Sequence, residues 1–292
     1  MAQEISDDQL FDEILKAEDE LRSKDYKPKE RSLRVPIKVM ENLGYDDFVV
    51  VGVDSNPLMN RIRTVQKSLY RPNDFAVGGF HGGIYMFRGI AAKISVPLMF
   101  GSVSINPFEM NDLTDMQRRW ICFSSEDQEN YISVYSDVFD LAGAIGASAD
   151  YPTPPEEAKK FLMLSSFQLQ GAAATVVSAF DVRGAVQNAL IGAELALKAA
   201  LKAKNYDEKK LKSYGHNLKK LGIAVAVEYQ NFNEHKVSEI ASALPLYVEN
   251  RYSNIQPSYS ETGKIVMDAQ YIAGETARAL TNCSFAEKLT TT

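Results

Sequence analysis

Three histidines, His81, His216 and His235, are the side chains of this chain whose ordinary pKa suits proton transfer near neutral pH. His216 follows Gly215 and precedes Asn217. There it can hydrogen-bond a phosphate or act as an acid or base. It can equally belong to a helix start, where His216 or Asn217 satisfies open backbone N–H groups. A second cluster, Arg251-Tyr252-Ser253-Asn254, can contact phosphate, because a guanidinium offers two parallel bonds to it. Its plainer reading is a polar helix end that caps carbonyls and pairs with Glu249. A third is the stretch from Lys198 to Lys220, with eight lysines against Asp207 and Glu208, and with Tyr206 and Tyr214 among them. Lys198, Lys202, Lys209, Lys212 and Lys219 form a candidate nucleic-acid face, since charge with aromatic stacking suits single strands. The alternative is a solvated helical hairpin whose lysine stems cover apolar surface.

Other chemistry finds less support. Gly78-Gly79-Phe80-His81-Gly82-Gly83 would cradle a phosphate only if a helix opened after it. Ile84-Tyr85-Met86-Phe87 follows and reads as a strand, so a hairpin turn with His81 at its tip is expected. Phe100-Gly101-Ser102 has the start of a nucleotidyltransferase motif, but Asn111-Asp112 and Asp115 do not supply the magnesium-holding Asp-x-Asp pair. Cys122 and Cys283 lie far apart without metal-ligand spacing. No metal and no cofactor is expected, and the two cysteines fit a reduced, cytoplasmic protein.

The formal net charge of -6 argues against indiscriminate binding along a nucleic-acid backbone. Apolar residues at 45% and charged residues at 24% are those of a chain that folds rather than one that stays disordered. Met1-Ala2-Gln3-Glu4 has neither the basic nor the apolar stretch of a secretory signal, and no apolar run reads as long enough to span a bilayer.

Elements must then position these groups. Ser6 and Gln9 form a capping box ahead of Leu10, Phe11, Ile14, Leu15 and Leu21 at helical spacing, which predicts a helix from Asp7 to Ser23. Asp25 to Arg31 reads as a polar connection. Phe48 to Val53, Phe75 to Val77, Ile84 to Phe87, Ile90 to Phe100 and Val103 to Ile105 read as strands, joined by short turns that favour antiparallel pairing. Thr114 to Trp120 and Asn130 to Ala144 read as helices, with Ile121 to Phe123 a short strand between them. Gly143 to Pro155 is the expected domain boundary, and Thr153-Pro154 a helix start. Beyond it Val182, Ala185, Val186, Ala189, Leu190, Ala193, Leu197 and Leu201 make one apolar stripe, with Glu194 and Lys198 paired on the same helix. Asn205 suits a helix end, Asp207 and Ser238 open further helices, and Thr262 opens the last. The expected fold class is α+β. Residues 1–150 form a mixed domain with a mainly antiparallel sheet, and residues 151–292 an all-helical bundle.

The segment Ala193-Glu194-Leu195-Ala196-Leu197-Lys198-Ala199-Ala200-Leu201, followed by Gly215-His216-Asn217-Leu218-Lys219-Lys220-Leu221, resembles the paired motifs of HEPN domains, and Arg251-Tyr252 matches a later Arg-Tyr pair common there. The resemblance covers the second half of the chain. It implies a bundle of four or five helices, paired with a second copy, of the kind found in toxins, antiviral systems and RNA-processing enzymes. Active HEPN ribonucleases carry an arginine followed four to six residues later by histidine, and cut RNA without metal. Here Arg251 is followed by no such histidine. The expectation is therefore an atypical HEPN-like protein of a prokaryotic defence or stress system that binds RNA or protein. Two alternatives stand beside it. One is a metal-independent endoribonuclease using Arg251, Tyr252, Asn254 and His216, and the other is a self-assembling structural subunit.

Overall fold

The computed structural model describes residues 5–45, 48, 56–70, 81–97, 104–178, 182–252 and 254–290, with Lys29, Val248, Arg251 and Thr290 described by their backbone alone. The chain divides into two compact units, Met1–Gly78 and Gly79–Thr292.

The first unit contains three described helices: α1 (Asp7–Ser23), α2 (Pro28–Asn42) and α3 (Pro57–Ser68). The Ser6–Gln9 capping box opens α1 as its sequence predicts. Leu10, Ile14, Ala17 and Leu21 meet Val35, Val39 and Met40 of α2 and Leu58, Met59 and Ile62 of α3 in one core. Glu18 is buried there, paired with Arg31 at 3.1 Å, bonded by Gln66 at 3.1 Å and by the Tyr70 hydroxyl. The polar connection expected over Asp25 to Arg31 runs only to Lys27, and α2 begins at Pro28. Pro28 fits its first turn, where no N–H donor is needed, and Pro36 sits inside it. The strands expected at Phe48 to Val53 and Phe75 to Val77 lie outside the described residues except for Phe48, which packs against the helical core.

In the second unit β1 (His81–Phe87) and β2 (Ile90–Val96) form an antiparallel hairpin. Its two-residue turn, Arg88 and Gly89, has positive φ at both positions, the geometry that matches strand twist. The free edge of β1 is closed by a side chain: Gln270 accepts from Ile84 N at 2.8 Å and donates to Ile84 O at 2.9 Å. Ser104 and Ile105 are not strand. A 3-10 turn (Pro107–Glu109) leads to α4 (Asp115–Cys122) and α5 (Ser125–Ala142). Ile121 and Cys122 are helical rather than strand. The Thr114–Gln117 capping box carries α4 through them, and Ser124, which accepts from Asp127 N, starts α5 five residues earlier than the apolar pattern suggests.

From Pro152 onward every described element is a helix. These are α6 (Glu156–Ser178), α7 (Arg183–Ala203), α8 (Glu208–Ser213), α9 (Leu218–Glu228), α10 (Glu234–Ala243), α11 (Tyr247–Tyr252), α12 (Tyr259–Thr281) and α13 (Phe285–Thr290). The described fold is thus mostly helical with one small antiparallel sheet, α+β at the coarse level. Asn233 caps α10, and Ser238 lies inside it. Ser258 with Glu261 boxes the start of α12, and Thr262 is buried in its first turns. The caps of both helices therefore lie four or five residues ahead of the expected Ser238 and Thr262, because any Ser or Thr near an apolar run has the chemistry of a cap.

The expected boundary between residues 150 and 151 is not where the structure divides. Ile84, Leu141, Ala144 and Ile145 share one core with α6, α7 and α12, and the stretch read as a linker is packed: a Cβ on Gly143 would lie 2.7 Å from the Tyr151 ring. The lock between the two halves is electrostatic as well. Arg278 of α12 reaches Asp137 and Asp140 of α5, both at 2.9 Å, and Glu275 at 2.9 Å. Asp140 also accepts from the Tyr151 hydroxyl at 2.5 Å and from Phe285 N at 2.8 Å.

α5 and α12 approach so closely that a Cβ on Gly274 would lie 2.6 Å from Asp137 Cα and 2.7 Å from its carbonyl oxygen. Backbone cannot yield as a side chain can. Gly274→Ala is expected to destabilise the unit by about 1–3 kcal/mol in urea unfolding. Gly263→Ala, whose nearest contacts are atoms of the flexible Met86 side chain, is expected to cost clearly less. Equal losses would contradict this reading.

Candidate functional site

The site is built on α7. Its apolar stripe faces the core, as its spacing requires: Ala185, Val186, Ala189, Ala193, Leu197 and Leu201 are buried. That fixes the position of Glu194, nearly buried at 7% exposure. Asn205 takes the left-handed conformation that ends α7 (φ 61). Asp207 caps α8, and Gly215 at φ 59 turns the chain back. The turn returns His216 to α7, where its Nδ1 donates to Glu194 Oε2 at 2.7 Å. The other carboxylate oxygen takes Lys198 Nζ at 2.6 Å. Asn217 caps α9 by accepting from Lys220 N at 2.9 Å, so the helix-start reading holds for Asn217, while His216 has a separate role.

A third element closes the arrangement. Pro245 ends α10 and Tyr247 begins α11, with its ring tilted against His216 at 4.6 Å between centroids. α11 is tied to α7 by Gln187, which donates to Asn250 Oδ1 at 2.7 Å. Between α7, α9 and α11 lies a cavity of about 380 Å³. Leu190 and Glu194 of α7 line it, with His216, Lys219 and the start of α9, and with Pro245, Leu246 and Tyr247.

The structure therefore gathers three of the residues singled out from sequence, His216, Asn217 and Lys219, and adds Glu194 and Tyr247. Arg251 lies one turn beyond Tyr247 on α11, and its side chain is outside the described residues, as is Ser253. Tyr252 is 76% exposed, Asn254 is exposed, and neither lines the cavity. Lys198 is held by Glu194, Lys212 by Glu208 at 3.3 Å, and Lys202 lies near enough to Glu157 to lower that carboxyl's pKa, after the larger effect of Lys160. Lys209 is exposed. Lys210 lies over the Tyr206 ring at 3.5 Å. The Glu194–His216 pair is not legible from local spacing because the residues are 22 apart, and the Glu194–Lys198 spacing carries no sign that an imidazole shares the carboxylate.

His81 is not at a hairpin tip. It opens β1, buried, with Nδ1 2.7 Å from Ser166 Oγ. Ser166 also accepts from Gln170 at 3.0 Å. Among the described residues no hydrogen-bond partner faces His81 Nε2, and burial pushes the His81 pKa down to about 3. A serine–histidine pair closed off from solvent cannot reach a substrate. It does carry a stability signature. An unfolded histidine binds a proton near pH 6.5 that the folded one refuses. Its contribution is therefore complete above that pH and is lost as pH falls toward 3, at up to ~1.4 kcal/mol per unit. Thermal melts of the wild type are expected to fall more steeply between pH 6.5 and 4 than those of His81→Leu. Parallel slopes would rule this out.

No group of three His, Cys, Asp or Glu side chains among the described residues can hold a metal ion. Comparison with protein-family models, with curated proteins and with solved structures finds no match. One described helix, α6, is long and apolar enough by length and composition to cross a membrane. Ser165, Ser166, Gln168 and Gln170 interrupt its apolar run. Its inner face is buried in the core shared with α7.

Proposed function

We propose that this chain is an atypical HEPN-like protein that binds single-stranded RNA in the cleft between α7, α9 and α11 and acts in the cytoplasm, within a prokaryotic defence or stress system. The observation that carries the reading is the convergence of a carboxylate-braced imidazole, Lys219 and the N-terminal end of α9 beside an apolar and aromatic wall. The Lys219 ammonium and a helix start favour a phosphate, and the wall with Tyr247 suits a base. Site and family resemblance fall together, since Glu194, Lys198, His216 and Lys219 belong to the two linked motifs.

A second reading is favoured by one contact. With His216 oriented by Glu194 at 2.7 Å, the imidazole no longer stands alone, and a carboxylate-oriented imidazole is an acid–base arrangement. This chain would then be a metal-independent endoribonuclease. Incubating the purified protein with labelled single-stranded RNA in EDTA separates the two. Retention of intact RNA at low salt supports the binder. Cleavage that persists in EDTA and is lost in both His216→Ala and Arg251→Ala makes it a nuclease. No binding and no cleavage would remove RNA as the ligand.

A further inference from the structure

We propose that the groove between α1 and α3 is a docking site for a helix of a partner protein, one whose apolar stripe is flanked by lysine or arginine.

Asp7 of α1 pairs with Arg61 of α3 at 2.5 Å, and further along Glu18 accepts from Gln66 at 3.1 Å, so the two helices run the same way. Beside these ties lies a cavity of about 650 Å³, lined by Asp8 and Phe11 of α1 and by Asn60, Thr64, Val65 and Ser68 of α3. α1 already fills the core with Leu10, Ile14, Ala17 and Leu21. Yet Phe11 and Leu15, one turn apart, are 40% and 38% exposed on a second face. From Pro57 to Ser68 the groove runs for about 17 Å, three turns of a helix. An open cleft between two helices, with apolar side chains at helical spacing, is the geometry of helix-in-groove recognition.

Charge selects the partner. Seven of the fourteen residues from Asp7 to Glu20 are acidic and only Lys16 is basic, a local balance of -6 that equals the net charge of the whole chain. Asp8, Asp12, Leu15 and Asp19 recur at helical spacing, which lays a line of carboxylates beside Phe11 and Leu15. Lys16 and Arg22 are each held by a carboxylate of their own helix, Glu13 at 2.7 Å and Asp19 at 2.9 Å. Arg61 is held by Asp7, and Arg63 and Lys67 do not line the cavity. Such a field repels a nucleic-acid backbone and draws in lysine and arginine. The stripe of the incoming helix meets Phe11, Val65 and Leu15, and its basic flank meets Asp8 and Asp12. Lying antiparallel to α1 and α3, it sets its C-terminal end beside their N-terminal ends, so the helix dipoles attract as well.

The test uses a labelled fourteen-residue peptide of leucine and lysine alone, patterned as an amphipathic helix. Fluorescence anisotropy against the full chain at low salt is expected to show saturable binding of one peptide per chain. Thr64→Arg, which sets a bulky cation in the groove, should weaken it by roughly tenfold or more, as should Asp8→Asn combined with Asp12→Asn. The aspartate pair should also flatten its salt dependence. Glu126→Gln with Glu129→Gln removes as much charge from α5, outside the cavity, and should leave binding unchanged. Far-UV spectra should match throughout, because all five positions are exposed. No saturable binding, equal losses from the α1 and α5 pairs, or equal affinity for a peptide with glutamate in place of lysine would each overturn the proposal. So would a wild-type dimer that Thr64→Arg turns into monomer, which would give the groove to a second copy.

Discussion

Replacing Arg278 with alanine is expected to lower the stability of the Gly79–Thr292 unit by about 3–5 kcal/mol, the cost of leaving buried charge uncompensated. Three carboxylates converge on this guanidinium, and all are buried: Asp137 at 4% exposure, Asp140 at 0% and Glu275 at 7%. Burial works against the charge on Arg278, but Asp137, Asp140 and Glu275 outweigh it, and the pKa is raised. Burial likewise pushes Asp137 up to about 6, against the lowering effect of Arg278. That shift has a sign. A folded carboxyl that holds its proton more tightly than the unfolded one stabilises below about pH 3.8, and the contribution is lost as pH rises through 6. In Arg278→Ala the uncompensated charge can be removed by protonation, so the loss should be smaller at pH 5 than at pH 8. Urea unfolding at the two pH values measures both quantities. A loss under about 1 kcal/mol, or one that grows toward acid, would contradict the network's structural role.

The second large effect is expected at the cleft. His216→Ala should weaken binding of single-stranded RNA by roughly tenfold to a hundredfold, the range for losing a charge-assisted hydrogen bond of about 1.5–3 kcal/mol. Lys219→Ala should weaken it and flatten its salt dependence by about one counterion. Lys209→Ala removes the same charge from an exposed position that does not line the cavity. If the cleft is the site, it should cost little. Fluorescence anisotropy at low salt compares the three. Equal losses from Lys209→Ala and Lys219→Ala would mean diffuse attraction by the lysine-rich stretch.

How far the sequence announced all this differs from one element to another. α1 and α7 are legible because their apolar residues recur at helical spacing and Ser6 and Asn205, whose chemistry is local, mark the start of one and the end of the other. α2 was hidden by Pro28 and Pro36, which signal a break unless the chain places one in a first turn and tolerates the other inside. The hairpin was visible, but Gln270, 186 residues from Ile84, completes its edge, and no local pattern encodes that pairing. The absent boundary at 150 has the same origin. A run of Gly, Ala and Ser looks like a linker, yet small residues are also what two elements need to meet closely, as at Gly143 and Gly274. In the cleft, the sequence supplied His216 and Lys219 as types. Its partner Glu194 and the wall at Tyr247 became evident only when the turn at Gly215 brought three helices together.

The most direct test is to locate bound RNA on the protein. A single strand carrying 4-thiouridine, cross-linked by light in EDTA and mapped by mass spectrometry, is predicted to attach within the peptides spanning His216 to Lys219 and Leu246 to Tyr247. Attachment confined to other surfaces, or none above background at low salt, would contradict the assignment of this cleft.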